Sequence, residues 1–376
     1  MKSRYLILLI SLGFITTFAY AKKSLKAPRN RYQLKMFTKS VDEAKLIGQL
    51  RSFVRSCRPD RMVGSTGHQK VVPYLKKTIS KLDPKGTGQL SVDEFKANTS
   101  AAIQLFEDDF KEEIIGKFDK DHPTYKKWRA VVNSMVSTIQ ARKDVTGRNV
   151  IWEKKGSLRP NDILVIGAHF DTIANDPKTL MVTPNVGMPG ADDNGSGVSI
   201  ALAMIDVISR LDIPVTVQIV FFDWQELGYL GSRAFVEKYR REFKRKNFLG
   251  YLNLEMLGHD SQSSDKLKKL GNMRIYTRPD KGDLALAKAL QKHGKKSTSR
   301  VRFSILDNSF NRADHISFWN AGFTALTFSQ DWENDFNQSR YHGPNDFVET
   351  VNFKSFYGSY LYIINAVLGY LFNFKS

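Results

Sequence analysis

The stretch DILVIGAHFDT, residues 162–172, is the most informative segment of the sequence, because an apolar run here ends in a histidine and an aspartate. Its apolar residues are nearly continuous, which is typical of a strand buried on both faces of a sheet. Between this run and the next, SGVSIALAMIDVISRL has the pattern of a helix. Strands that alternate with helices predict an α/β fold with a mostly parallel, mixed central sheet and helices on both faces. The further predicted strands are 215–223, 248–256, 272–277 and 323–329.

Side chains that can bind a metal follow these apolar runs. They are His169, Asp171, Asp192, Asp193, Gln225, Glu226, Glu255 and His342. Ligands bind beyond the carboxyl ends of parallel strands, so we expect this set to meet at one edge of the sheet. Imidazole and carboxylate are zinc ligands. Two histidines with three carboxylates could hold two metal ions that share one ligand.

The chain resembles the M28 family of zinc exopeptidases over roughly residues 60–80 and 146–370. Seven segments in the expected order carry the resemblance: RMVGSTGHQKVVPYL, VIGAHFDT, PGADDNGSGVSIAL, FFDWQELGYLGSRAFV, YLNLEMLG, RADHISFWNAGFTAL and YHGPNDF. The resemblance implies two zinc ions per chain. It also implies aminopeptidase-type hydrolysis of a peptide substrate by metal-activated water.

The resemblance gives each ligand a role. One metal has His169 and Glu255, the other has Glu226 and His342, and Asp192 bridges both. It also implies a cis peptide between Asp192 and Asp193.

Other family positions have supporting roles. Asp171 is expected to accept the ring N–H of His169 and so fix its orientation. Tyr341 is a candidate donor to the oxyanion of the tetrahedral intermediate. Asp314 and His315 match a structural motif of the family, and we expect His315 to be a buried, hydrogen-bonded residue rather than a ligand.

Gln225 departs from the family pattern, which has two glutamates at 225–226. The first glutamate of that pattern is the general base, and a neutral amide cannot accept a proton at physiological pH. Three explanations stay open. The metals alone could lower the pKa of the water enough for slow turnover; Asp223 or Asp193 could serve as the base; or the protein binds peptides without cutting them. An exported metallo-exopeptidase is the main interpretation, with a catalytically silent peptide-binding protein and a glutaminyl-cyclase-like acyltransferase as alternatives.

The chain divides into three parts. Residues 1–21 have the charged start, apolar stretch and small-residue end of a cleaved signal peptide, which predicts export to the periplasm or outside the cell. Residues 22–40 are expected to form a basic leader arm. Residues 41–376 form the peptidase domain, with a helical, EF-hand-like insertion at about 83–145. The single cysteine excludes an internal disulfide.

The segment DPKGTGQLSVDEF, residues 83–95, resembles an EF-hand loop. Its possible calcium ligands are Asp83, Thr87, Gln89 and Glu94. Lys85 stands where an oxygen ligand is expected, so the alternative is a helix–loop–helix turn that binds no ion.

The net charge of +19 allows nonspecific attraction to anionic surfaces. The basic residues are spread along the chain, and we expect no nucleic-acid site. The stretch 356–374 carries no charge. Its Asn, Gly, Ser and Tyr residues favour a buried helix over a membrane span in the mature chain.

Overall fold

A central mixed sheet organises the molecule. The computed structural model describes residues 31–184, 186–261 and 273–372. This part of the chain holds eight strands in the order β1-β2-β4-β3-β5-β8-β6-β7. Their bounds are β1 (Gln89–Lys96), β2 (Thr146–Lys154), β3 (Arg159–His169), β4 (Val215–Phe222), β5 (Asn247–Leu254), β6 (Met273–Tyr276), β7 (Phe303–Leu306) and β8 (Ala325–Ser329).

The middle of the sheet is parallel. Strand β3 pairs in parallel with β4 and β5, and β5 pairs in parallel with β8. Towards the edges, β2 is antiparallel to β4, β1 to β2, and β6 to β8. The carboxyl ends of β3, β4, β5 and β8 therefore lie at one edge. The predicted fold class is confirmed.

Helices cover both faces of the sheet. Along β3, Leu164 and Ile166 pack into a core shared with α6 and α10, whereas Ile163 and Val165 pack into a core shared with α7 and α9. The helices of the described chain are α1 (Arg31–Thr38), α2 (Glu43–Ser56), α3 (Thr66–Leu82), α4 (Thr99–Glu113), α5 (Pro123–Gln140), α6 (Gly197–Ile208), α7 (Leu230–Arg245), α8 (Lys281–Gly294), α9 (His315–Asn320) and α10 (Phe353–Leu371).

The segment 83–145 is not the purely helical insertion that we expected. Its first element is strand β1, which pairs along its whole length with β2 and extends the sheet. Its residues are exposed or half-buried and none is fully buried, so the strand lacks the continuous apolar run that identified the central strands. Helices α4 and α5 follow, and Gly228 packs against Ala102 of α4 beside the end of β4.

The predicted calcium loop does not bring its four candidate ligands together. Both carboxylate oxygens of Asp83 accept hydrogen bonds, from Thr87, the Gly88 N–H and the Trp152 indole. Glu94 lies on β1 and pairs with Arg148 at 2.9 Å. Strand β1, which begins at Gln89, occupies the place of the second EF-hand helix, so the expected EF-hand geometry is wrong.

A buried ammonium group occupies the position beside that loop. Lys154 Nζ lies 3.2 Å from Thr87 Oγ1, 3.2 Å from Ile208 O and 2.9 Å from Ser209 O. The two carbonyls belong to the C-terminal end of α6, where a cation is favoured by the helix dipole. Lys154 thus supplies, beside this loop, the positive charge that a calcium ion would otherwise bring.

The two ends of the chain were predicted to hold a basic leader arm and a buried helix. The predicted signal peptide, residues 1–21, and residues 22–30 of the predicted leader arm lie outside the described residues. Residues 31–38 form helix α1 rather than an arm, with Leu34 buried and Thr38 O accepting the Tyr360 hydroxyl at 2.8 Å. Helix α10 is buried along most of its length, as predicted. Within the described ranges we find no helix with the length and apolarity of a bilayer span.

Candidate active site

The side chain of Asp193 lies between two imidazoles at the carboxyl edge of the sheet. Its Oδ1 is 3.4 Å from His169 Nε2, and its Oδ2 is 3.4 Å from His342 Nε2. His169 ends β3, and His342 lies in the loop between β8 and α10. Asp193 is therefore placed to share its two oxygens between two positions.

Each histidine has a second carboxylate beside it. Glu255, directly after β5, places Oε1 3.1 Å from His169 Nε2. Glu226, after β4, places Oε2 3.1 Å from His342 Nε2. The five side chains thus form two histidine–glutamate pairs on either side of Asp193.

Asp192 does not take the bridging position that the resemblance implied. Its Oδ1 accepts the Gly258 N–H at 2.7 Å, and its Oδ2 accepts the Asn337 side-chain amide at 3.0 Å. These bonds hold the carboxylate away from the histidines, and Asp193 takes the expected place. The cis peptide lies one residue later than expected, between Asp193 and Asn194.

Two residues that the sequence analysis did not assign hold the Asp193 loop. Asp346 accepts the backbone N–H groups of Asp192 and Asp193 at 3.0 Å each. Arg61 is fully buried and donates to the carbonyls of Phe170, Pro189 and Gly190, joining the end of β3 to this loop. Both residues lie inside motifs that carry the family resemblance, YHGPNDF and RMVGSTG. Their place in those motifs was the sequence signal that could have identified them.

Asp171 supports two strand ends at once. Its Oδ1 accepts the Gln225 N–H and its Oδ2 accepts the Glu226 N–H, each at 3.0 Å. His169 Nδ1 lies 3.2 Å from the Asp171 backbone carbonyl and 3.6 Å from its carboxylate. Asp171 thus lies behind His169, but its backbone carbonyl rather than its carboxylate is the hydrogen-bond partner of the ring, and its carboxylate fixes the turn that presents Glu226.

Gln225 is buried beside Glu226, and its Oε1 has no hydrogen-bond partner in the described chain. Asp223, one of the two alternative bases, is fully engaged elsewhere. Its Oδ1 lies 2.8 Å from His68 Nε2 and also accepts the Trp224 N–H, while its Oδ2 accepts the Arg148 N–H at 3.0 Å. These bonds leave Asp223 no free oxygen for a reaction at the site.

Tyr341 stacks on the ring of His342, with centroids 3.7 Å apart. Burial, and then the carboxylates of Glu226 and Asp193, raise the pKa of the Tyr341 hydroxyl well above its ordinary value. The hydroxyl therefore stays protonated and can donate a hydrogen bond. His315 is buried with both ring nitrogens engaged, by Phe310 O and Thr327 Oγ1 at 2.6 Å each, as predicted.

The charges of the site favour a bound cation. Burial raises the pKa of Glu226 to about 7, and burial likewise raises the pKa of Glu255. Burial opposes protonation of His169, but Glu255 and other carboxylates outweigh it and raise the pKa of the ring well above 6.5. Without metal, protons must therefore stabilise these carboxylates.

The donor set fits metal ions. One ligand atom each from His169, Asp193 and Glu226 lies within 4.8 Å of the others. Asp193 Oδ2 and Glu226 Oε1 are buried without a hydrogen-bond partner among the described residues. Buried carboxylate oxygens without donors are costly unless a cation meets them, and nitrogen and oxygen donors of this kind suit zinc.

Comparison with known proteins shows which family the chain belongs to. A family model described as peptidase family M28 matches residues 149–366. The chain is 24% identical over 217 residues to aminopeptidase YwaD of Bacillus subtilis, covering 57% of this chain and 42% of that protein. It is 31% identical over 137 residues to the probable aminopeptidase YDR415C of Saccharomyces cerevisiae, covering 35% and 34% of the two chains. The matched region therefore spans less than half the length of either relative.

Solved structures share the fold. BSAP, a zinc aminopeptidase from Bacillus subtilis, aligns with a TM-score of 0.61 at 17% identity, covering 86% of this chain and 94% of that one. The glutaminyl cyclase of Fimbriiglobus ruber aligns with a TM-score of 0.59 at 16% identity, covering 89% and 96%. On the extent of the family match, the chain belongs to peptidase family M28.

Proposed function

We propose that this protein is an exported, zinc-dependent exopeptidase of the aminopeptidase type, with turnover weakened by Gln225. One observation carries the proposal: Asp193 offers one oxygen to His169 and the other to His342, with a glutamate beside each. The named relatives YwaD and YDR415C, one an aminopeptidase and one a probable aminopeptidase, support the same reaction. Export rests on the sequence of residues 1–21.

Two zinc ions would be held by the five side chains. His169 and Glu255 would hold one, His342 and Glu226 the other, and Asp193 would contact both. Bound there, zinc would supply Lewis acidity to the scissile carbonyl and lower the pKa of water.

The remaining residues of the site hold the ligand-bearing turns and offer hydrogen bonds to the reacting groups. Asp171 and Asp346 hold the ligand-bearing turns by hydrogen bonds to their backbone amides. The Tyr341 ring stacks on His342, and its hydroxyl, which stays protonated over the physiological range, would donate to an oxyanion. Gln225 can accept or donate a hydrogen bond, but it cannot take up a proton. A general base is typically worth about 10²–10⁴-fold, so we expect slow hydrolysis.

Gln225 also favours a second candidate, a peptide-binding protein that cuts little or nothing. A third candidate, a glutaminyl-cyclase-like acyltransferase, is supported by the structural likeness to the Fimbriiglobus ruber enzyme. A cyclase of this kind is expected to need one zinc and no contribution from His169, so zinc stoichiometry separates it from the hydrolase.

The experiment compares wild type with Gln225→Glu, both loaded with zinc. A panel of aminoacyl and N-blocked peptides is assayed, with Gln225→Met as the control that matches the side chain in size but offers no polar group. We expect Gln225→Glu to cut free N-termini about 10²–10⁴-fold faster than wild type. If wild type is silent and Gln225→Glu active, the protein is a binder. Silence of both on every peptide contradicts the hydrolase proposal.

A further inference from the structure

Asn175 is joined to His342 by its backbone and by its side chain. The Asn175 N–H donates to His342 O at 2.9 Å. Its side-chain amide nitrogen lies 3.3 Å from His342 Nδ1. The other amide atom, Oδ1, is buried and has no hydrogen-bond donor among the described residues.

The two ring nitrogens of His342 have different surroundings. Nε2 faces the carboxylates, 3.1 Å from Glu226 Oε2 and 3.4 Å from Asp193 Oδ2. A neutral imidazole binds metal through its unprotonated nitrogen, so metal binding at Nε2 requires the proton on Nδ1. Nδ1–H then needs an acceptor.

Turning the Asn175 amide by half a turn supplies that acceptor. The oxygen and nitrogen of an asparagine amide have nearly the same shape, and the hydrogen-bond network decides which way it points. With Oδ1 toward the ring, the orphaned oxygen gains a donor and His342 Nδ1–H gains an acceptor. One rotation satisfies both groups.

The other ligand histidine has the same arrangement. His169 Nε2 faces Glu255 and Asp193, while His169 Nδ1 faces the Asp171 carbonyl oxygen at 3.2 Å. An oxygen that accepts the Nδ1–H of each ring would hold both histidines in the tautomer whose Nε2 can bind metal.

The segment that carries Asn175 is braced by helix α5. Asn175 forms a bridge with Val182, and the Val182 N–H donates to Ser134 Oγ of α5 at 3.0 Å. Thr183 N–H donates to Ala174 O at 2.8 Å and closes the base of this loop. The helical part of the 83–145 segment thus fixes the position of Asn175.

We propose that Asn175 is a positioning residue, whose side-chain carbonyl accepts the Nδ1–H of His342 and keeps Nε2 free for a metal. The inference rests on the proposed function, because it takes His342 as a zinc ligand. The loop that α5 supports thereby raises the zinc affinity of one of the two zinc positions.

The test uses two substitutions with opposite expected results. Asn175→Leu has similar size and no acceptor, whereas Asn175→Asp keeps an acceptor oxygen. Asn308→Leu makes the same chemical change at an exposed asparagine that bonds Glu333, far along the chain. Circular dichroism checks that each variant folds. Zinc binding is measured by calorimetry. In the zinc-loaded protein, the exchange of the His342 Nδ1–H proton with solvent is followed by nuclear magnetic resonance, with the signal assigned by its loss in His342→Gln.

We expect Asn175→Leu to weaken one zinc position about 10–100-fold and to leave the other unchanged. Asn175→Asp and Asn308→Leu should bind zinc within a few-fold of wild type. In the zinc-loaded protein, the His342 Nδ1–H proton should exchange with solvent more slowly in wild type than in Asn175→Leu, because only wild type offers it an acceptor.

Wild-type zinc affinity in a folded Asn175→Leu variant, or equal exchange rates of the Nδ1–H proton in the two zinc-loaded proteins, overturns the inference while the proposed function stands. If wild type binds no zinc, the proposed function fails, and the inference that rests on it fails as well.

Discussion

Asp346 lies directly behind Asp193, and its Oδ2 accepts the Asp193 backbone N–H at 3.0 Å. It also accepts the N–H of Asp192, so one carboxylate holds the whole turn that presents the bridging side chain. Burial and the nearby Asp192 raise the pKa of Asp346 to about 8. The loop between β8 and α10 therefore supplies both a ligand, His342, and the support for the residue between the histidines.

Replacing Asp346 should damage the site through its backbone. Asp346→Ala leaves two buried N–H groups without an acceptor, at a cost of about 1–3 kcal/mol each. We expect a lower free energy of unfolding in urea and zinc affinity reduced about 10–100-fold. Asp307→Ala, which removes an exposed carboxylate, is the control. Unchanged zinc affinity in folded Asp346→Ala would show that the turn holds its shape alone.

Asp223 should prove to be a structural residue and not the missing base. Asp223→Asn weakens its buried pair with His68, and breaking such a pair typically costs about 3–5 kcal/mol. We expect a clear fall in thermal stability. The rate constant of the folded, zinc-loaded fraction should change less than about 10-fold. A rate loss above about 100-fold with unchanged stability would assign Asp223 to the chemistry instead.

Asp314 should make the metal-free protein less stable at alkaline pH. Burial raises the pKa of this carboxyl from 3.8 to about 7. The folded state therefore binds the proton more tightly than the unfolded chain, and stability falls as pH rises from about 4 to about 7. Asp314→Asn removes this dependence.

The comparison is made in chelator at two pH values. Between about pH 5.5 and about pH 8.5, wild type should lose about 2 kcal/mol relative to Asp314→Asn, at 1.36 kcal/mol per pH unit up to the pKa. Asp307→Asn should follow wild type. Parallel curves for wild type and Asp314→Asn would place the pKa of Asp314 near its ordinary value.

Calcium should have no effect on the loop at 83–88. Lys154 Nζ already lies between Thr87 Oγ1 and the Ser209 carbonyl, and burial lowers the pKa of Lys154 to about 8. We expect no heat of binding and no shift of Tm at millimolar calcium. Lys154→Met, which keeps the apolar stem and removes the charge, should lower Tm. A calcium-dependent rise of Tm in wild type would restore the EF-hand interpretation.

The sequence was informative wherever a strand is buried on both faces. The apolar runs at β3, β4, β5, β6 and β8 are continuous, and the order of the motifs places His169, Glu226, Glu255 and His342 at the ends of strands or in the following loops. Parallel topology then brings these four together. Strands β1 and β7, at the two edges of the sheet, were missed because β1 is nowhere fully buried and β7 is very short. Strand β2, which lies between β1 and β4, was missed because its apolar run is only three residues long, VIW.

The choice between Asp192 and Asp193 could not be made from local pattern. Both carboxylates stand in one glycine-rich turn, and contacts with distant segments decide which one faces the histidines. Gly258 and Asn337 engage Asp192, while Asp346 holds the backbone of both. Asn175 was missed for the same reason, since its partner His342 lies 167 residues away.

The most direct measurement is the zinc stoichiometry of wild type, Asp193→Asn and Asp192→Asn, by mass spectrometry under native conditions and by calorimetry. We expect two zinc ions per wild-type chain, none or one weakly held ion in Asp193→Asn, and two ions in Asp192→Asn, because Asp192 is occupied by protein donors. One ion in wild type, or two tightly held ions in Asp193→Asn, would contradict the shared position of Asp193 between His169 and His342.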